Sequence, residues 1–200
     1  MKKVLILMLF ISAIFAQEAR WHPNELIKNQ SPQNTNLKEI DRWFVGIEAG
    51  YERVWGDYGF DFKSVNYNTI NYGVKVGYTL YGKSRIYLNY NRNTDMEDKN
   101  STHATTTTLQ KLLLGVEGVS RVNNNFGIIT GGVVGLAKGD TKWSDGSDNE
   151  EYALALGVKV GGLVSMGAHN EIEFGVKVGG SLFEESVWNA GIYVGYNFKF

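Results

Sequence analysis

The stretch Trp188-Asn189-Ala190-Gly191-Ile192-Tyr193-Val194-Gly195-Tyr196-Asn197-Phe198-Lys199-Phe200 decides the fold. Trp188, Ala190, Ile192, Val194, Tyr196, Phe198 and Phe200 fall on one parity, and Asn189, Gly191, Tyr193, Gly195, Asn197 and Lys199 on the other. Successive side chains of a strand point to opposite faces, so this segment is a strand with one wholly apolar face.

The same period of two runs back to Trp43. The segment before places Ile172, Phe174, Val176, Val178 and Leu182 opposite Glu173, Gly175, Lys177, Gly179 and Ser181, and the one before that Tyr152, Leu154, Leu156, Val158, Val160 and Val164 opposite Ala153, Ala155, Gly157, Lys159 and Gly161. Further back come segments at 126–138, 111–117, 85–91, 70–80 and 43–52, eight in all. Leu113, Ile129 and Val133 break the rule by lying on the polar face. Gly-Val-Lys-Val-Gly recurs at 73–77, 157–161 and 175–179 without a fixed period, which points to a repeated local solution in a curved sheet and not to a solenoid. Short Gly- and Asn-rich connections at 81–84, 122–125 and 166–170 alternate with long polar ones at 55–68, 93–107 and 139–150, and the last connection, 184–187, is short. The expected fold is therefore an all-β, eight-stranded antiparallel up-and-down barrel with tight turns at one end and loops at the other.

Alternation alone does not say which face is inside. The apolar face carries Val, Ile, Leu and aromatic residues without a break, whereas the other carries glycine, alanine and single charges. Eight strands enclose too little space for the first set, and a continuous apolar belt facing water would aggregate. The apolar face is thus expected to meet lipid, making this a transmembrane barrel. The longer segments, of 11 to 13 residues, suit the ~9–11 residues a tilted strand needs to cross a bilayer, with short ends to spare. Trp43, Tyr51, Tyr81, Phe126, Tyr152, Phe174, Trp188, Phe198 and Phe200 gather near segment ends, as interfacial girdles do.

The start of the chain agrees with export. Lys2 and Lys3 precede the apolar run Val4 to Ile11 and the small-residue stretch Ser12 to Ala16, which reads as a signal peptide over 1–16 cleaved after Ala16. The run is shorter than the ~20 residues of a spanning helix. Residues 17–42 are polar, hold both prolines, and are expected to form a periplasmic extension ahead of a barrel at 43–200. Without the leader lysines, 18 basic residues face 21 acidic ones, which gives nucleic acid no general attraction. The absence of cysteine excludes disulfides, thiol catalysis and Cys-ligated metals.

Gly191 to Phe200, ending in phenylalanine with aromatics at alternate positions before it, resembles the C-terminal signal of Gram-negative outer-membrane barrels. With the leader and the strand count, residues 43–200 resemble the small eight-stranded family that includes the OmpA transmembrane domain, OmpX and the opacity proteins. The resemblance implies an outer-membrane location, with the barrel-assembly machinery, membrane lipid and lipopolysaccharide as partners. Tyr196, Phe198 and Phe200 would be the assembly signal.

Inward-facing charges are expected at Glu48, Glu52, Lys75, Arg85, Lys111, Glu117, Lys159, Glu173, Lys177 and Lys199. Their mixed signs favour a structural network across the lumen, with Glu48 opposite Lys75 and Glu173 near Lys199. Three histidines, His22, His103 and His169, fall in different regions, so no three-histidine metal site is expected. His103 with Asp95, Asp98 and Ser101 offers a base and a nucleophile near the headgroups, the feature a lipid A-modifying enzyme would need. The acidic stretch 139–150 has the composition of a calcium loop but not the spacing of an EF-hand. No cofactor is expected. The leading function is a non-catalytic barrel serving envelope integrity or surface interaction through its loops, including a host or surface ligand. A small channel and a lipid A-modifying enzyme are the alternatives.

Overall fold

The computed structural model describes residues 41–56, 65–98, 105–182 and 186–200. The leader expected at 1–16 lies outside them, as does the expected extension except for its last two residues. Arg42, the final residue of that extension, already belongs to the first strand.

The strands are β1 (Arg42–Gly56), β2 (Val65–Leu80), β3 (Ser84–Asn93), β4 (Met96–Asp98), β5 (Thr105–Arg121), β6 (Phe126–Trp143), β7 (Asp148–Met166), β8 (Asn170–Leu182) and β9 (Ser186–Lys199). All pairings are antiparallel, in the order β3-β2-β1-β9-β8-β7-β6-β5, and β3 also pairs with β5, closing the ring. β4 is a three-residue strand on β5 at the loop end. The eight long strands thus make the closed up-and-down barrel that the alternation demands. Closure gives the middle of the wall a ladder partner on both sides of each long strand, which a sheet in lipid requires.

Turn chemistry fixes one end. Between β2 and β3, Tyr81 and Gly82 both have left-handed backbone (φ 50° and 64°), the two-residue turn whose twist matches a hairpin. Between β5 and β6, Asn123 Oδ1 accepts from the amides of Asn125 (2.9 Å) and Phe126 (2.7 Å).

At the other end the strands run further than the polarity pattern indicates. β1 continues to Gly56 and β2 begins at Val65. The loop expected at 139–150 is mostly strand, with β6 and β7 paired as far as Lys142 and Asp148 and only 144–147 turning. Asp145 Oδ1 holds this turn by accepting from Ser147 N at 2.9 Å and Ser147 Oγ at 2.6 Å. The ladder persists because nothing in backbone pairing requires an apolar face; the period in the sequence fades where the apolar belt ends.

There the wall also reverses its polarity. Along the middle of the barrel Ile47, Val74, Val158, Val176 and Ile192 are exposed on the outside while Glu48, Lys75, Lys159 and Glu173 are buried inside. Toward the loops the outer face carries Arg53, Gln110, Lys138, Asp140 and Glu150, and the lumen is filled by Val54, Met96, Leu109, Leu113, Ala137, Ala153, Ala155 and Val187. Leu113, which breaks the alternation in sequence, is part of this plug. Lys138 sits between Glu150 (2.7 Å) and Asp140 (2.9 Å), and donating hydrogen bonds to those carboxylates holds its ammonium above the usual lysine range.

Candidate functional site

Among the described residues the expected lumen charges converge in a layered network inside the barrel. At its centre Glu173, fully buried, accepts from Lys75 and lies 3.4 Å from Arg85 Nη1 and 3.5 Å from Lys159 Nζ. Lys159 binds Glu117 and rests between the rings of Tyr87 and Tyr193, 5.1 Å from each centroid. Arg85 lies over the ring of Phe44 and also approaches Glu117 at 3.8 Å. Period-two placement brings these groups inward from β2, β3, β5, β7 and β8. Glycine makes room for them: a Cβ at Gly115 would lie 2.2 Å from the Tyr87 ring.

Above this centre, toward the loops, Glu48 accepts from Lys177 at 3.0 Å, and Lys177 also donates to Asn71. Lys111 donates to Asn189 Oδ1 (2.9 Å), whose Nδ2 donates to Glu52 (3.0 Å), so an amide links that cation and carboxylate. Below the centre Glu171 accepts from Arg85, from Lys199 at 2.6 Å and from Arg121 at 3.0 Å.

All ten expected lumen charges, Glu48, Glu52, Lys75, Arg85, Lys111, Glu117, Lys159, Glu173, Lys177 and Lys199, are drawn into these contacts, but two expected pairings are corrected. Glu48 lies across from Gly73 in the β1–β2 register and stands 3.9 Å from Lys75, which turns to Glu173; its closer partner is Lys177 from β8. Lys199 pairs with Glu171 and not with Glu173. Strand-neighbour reasoning fails here because long side chains reach across the lumen instead of along the wall. The lumen also holds Phe44, Tyr87, Tyr193, Ile129 and Leu163, all buried; Tyr193 and Ile129 already stand on the inward parity of the sequence. Glu171 is absent from the expected set because it stands one residue past a tight turn, although its parity with Glu173 marks it as inward.

A cavity of about 60 Å³ remains beside this network, lined by Glu48, Glu52, Asn71, Lys111, Lys177 and Asn189 among others. That is room for a few water molecules.

Of the candidate catalytic group, Ser101, His103 and the side chain of Asp98 lie outside the described residues. Asp95 is described: it accepts from Thr108 Oγ1 at 2.8 Å and lies 3.8 Å from Arg92. In the acidic stretch 139–150, Asp140 and Glu150 turn to Lys138 and Asp145 caps its own turn, and the described residues show no group of three or more potential metal ligands. Tyr196, Phe198 and Phe200 project outward, with Tyr196 OH donating to Asn170 and the Phe200 amide to Trp43 O.

No family model and no curated protein matches the sequence. Solved structures do match in three dimensions. Neisserial surface protein A superposes with a TM-score of 0.65 at 15% identity, covering 79% of this chain and 97% of that one. The attachment invasion locus protein Ail of Yersinia pestis gives 0.56 at 16% identity, over 78% of this chain and 98% of that one. A second Ail structure, in complex with the heparin analogue sucrose octasulfate, gives 0.54 at 16% identity, over 78% and 99%. With the closed ring and the charge-filled lumen, these likenesses establish that the chain has the fold of the small eight-stranded outer-membrane β-barrels.

Proposed function

We propose that the chain is a non-catalytic integral barrel of a Gram-negative outer membrane, sealed to solutes and presenting its loop end to the outside, with its tight turns and both termini on the periplasmic side. The observation that carries this reading is the double reversal of polarity: apolar out and charged in along the middle of the wall, charged out and apolar in beyond it. A wall built this way is at home in two solvents, lipid below and water above. Among the described residues the apolar plug and the ion-pair network occupy the lumen, which on this reading makes the protein a brace of the envelope that offers a surface instead of conducting. In planar bilayers the purified full-length chain is expected to give no large stable conductance. Stable channels that pass sugars would overturn the sealed reading in favour of a small porin.

The ligand suited to the loop end is constrained by its charge. Asp95, Asp140, Asp145, Asp148, Glu150 and Glu151 outnumber Arg53, Arg92, Lys138 and Lys142 among the described side chains there. The sulfated ligand crystallised with Ail is a polyanion; on this surface it would meet net repulsion. A cationic or neutral partner fits better.

The same reading assigns Tyr196, Phe198 and Phe200 to recognition by the barrel-assembly machinery. They are exposed on β9, the strand that must find β1 before the ring closes. Phe200→Ser is expected to lower the amount of heat-modifiable, membrane-embedded protein in cells several-fold while leaving refolding of the purified chain in detergent unchanged. Normal assembly in cells would remove that assignment.

A further inference from the structure

The wall is not level at its loop end. β7 pairs with β6 as far as Asp148 with Lys142, but with β8 only as far as Leu154 with Leu182. β8 goes no further, because Leu182 already pairs with Ser186 of β9 and the chain turns back within residues 183–185. A connection of that length returns to β9 and cannot also run along β7. Residues 148–153 therefore stand above the neighbouring hairpin, about 20 Å of strand at ~3.3 Å per residue. They have β6 on one side and no strand of the described residues on the other. The opposite flank of this raised sheet is covered: β6 is paired with β5 up to Trp143 with Thr105, and β5 carries β4.

The register says which groups the edge presents. Trp143 N donates to Ser147 O at 3.0 Å, so these two form a hydrogen-bonded pair at the top of the hairpin. Bonded and non-bonded pairs alternate along an antiparallel ladder. Asn149, Glu151 and Ala153 thus direct their amides and carbonyls to Thr141, Gly139 and Ala137 of β6. Those of Asp148, Glu150 and Tyr152 point to the open side, three donors and three acceptors in a row. The side chains of the same three residues have the outward parity and are exposed.

An open edge of this kind is a template for another strand. The charges select which strand. Asp148, Glu150 and Glu151 put three carboxylates within four residues, so a second copy of this edge would set like charges opposite each other, which destabilises cross-strand pairs. A strand with lysine or arginine at alternate positions meets Asp148 and Glu150 with the opposite sign while its backbone completes the ladder.

We propose that the β7 edge from Asp148 to Ala153 is a strand-addition site for an extended basic segment of a partner protein, bonded through the backbone of Asp148, Glu150 and Tyr152. The proposal rests on the reading that the loop end faces the outside, and it gives that end a kind of partner and a mode of binding.

The test uses the full chain folded in detergent micelles and, as probe, a synthetic hexapeptide that alternates lysine and valine. Amide exchange is read residue by residue by NMR. Without peptide, the amides of Asp148, Glu150 and Tyr152 should exchange freely while those of Glu151 and Ala153 are protected. Saturating peptide should slow the first three at least tenfold. In antiparallel register the lysine amides face β7, so N-methylation at the lysines should abolish the effect and N-methylation at the valines should leave it. Glu150→Pro removes an edge donor without touching the ladder to β6, and should weaken binding about fivefold or more, the weight of one backbone hydrogen bond. Glu150→Gln, which keeps that donor, should weaken it less. Protection of Asp148, Glu150 and Tyr152 in the free chain would show that the chain covers its own edge and would overturn the proposal. No added protection at millimolar peptide, or equal protection by the lysine-methylated peptide, would overturn it too. Each of these results leaves the barrel reading intact. The side on which the edge lies is checked separately by protease added to intact cells, which should cut at Lys142; cleavage confined to the tight turns would reverse the topology instead.

Discussion

Glu173→Ala is expected to be the most destabilising single change in the lumen, lowering stability by about 3 to 5 kcal/mol, the cost of removing one partner from a buried ion-pair network. Glu173 is fully buried and takes Lys75, Arg85 and Lys159 at once. Losing it leaves Lys75 only the Glu48 carboxylate, 3.9 Å away and shared with Lys177. Glu48→Ala should cost less, because Lys177 keeps Asn71 and lies closer to water. Glu173→Gln should fall between, keeping an acceptor but not the charge. The measurement is the urea midpoint of refolding in detergent micelles, followed by the shift between folded and unfolded bands. A midpoint for Glu173→Ala equal to that of the parent would mean that lumen water solvates these groups as well as the carboxylate does.

The second large effect is expected on the opposite face. Val176→Lys places an ammonium in mid-belt on β8, between Val160 and Ile192, where Val176 is 53% exposed to what we infer is lipid. Lysine near the bilayer midplane of such a barrel costs about 2 to 4 kcal/mol, and less toward the interfaces. Arg53→Val, on the outward face of β1 but beyond the reversal of polarity, should change stability by no more than about 0.5 kcal/mol. The contrast between the two locates the upper edge of the membrane. If Val176→Lys were as mild as Arg53→Val in lipid, the outer wall would be facing water.

Parity made both faces of the barrel legible in the sequence. Any residue an even number of steps from Glu173 on its strand had to be inward, and ten inward charges could be named without coordinates, Glu171 beside the β7–β8 turn being missed. Partners were a different matter. Glu48 and Lys75 look like neighbours on adjacent strands, yet Lys75 belongs to Glu173, 98 positions away, because a lysine stem is long compared with the radius of this lumen. Strand ends were equally hidden. At 139–150 the residues are polar on both parities, and such a stretch reads as a loop whether or not it is paired. Leu113 looked like noise, although a leucine facing inward on β5 signals the point where the lumen changes from charged to apolar.

The ring is closed by β1 and β9, paired from Phe44 with Lys199 to Gly56 with Val187. These strands are the two extremes of the barrel's sequence, so the seam joins segments separated by nearly the whole domain. Until the final strand arrives, a partial sheet has two open edges, each a row of amides and carbonyls that hydrocarbon leaves unsatisfied at several kcal/mol apiece. Insertion strand by strand is thereby closed off as a route, because every halfway state is penalised along both edges. The wall must enter as a nearly finished cylinder or be escorted with its edges covered. For the same reason a chain lacking β9 is expected not to persist as a seven-stranded barrel but to stay outside the bilayer, exposed to proteases.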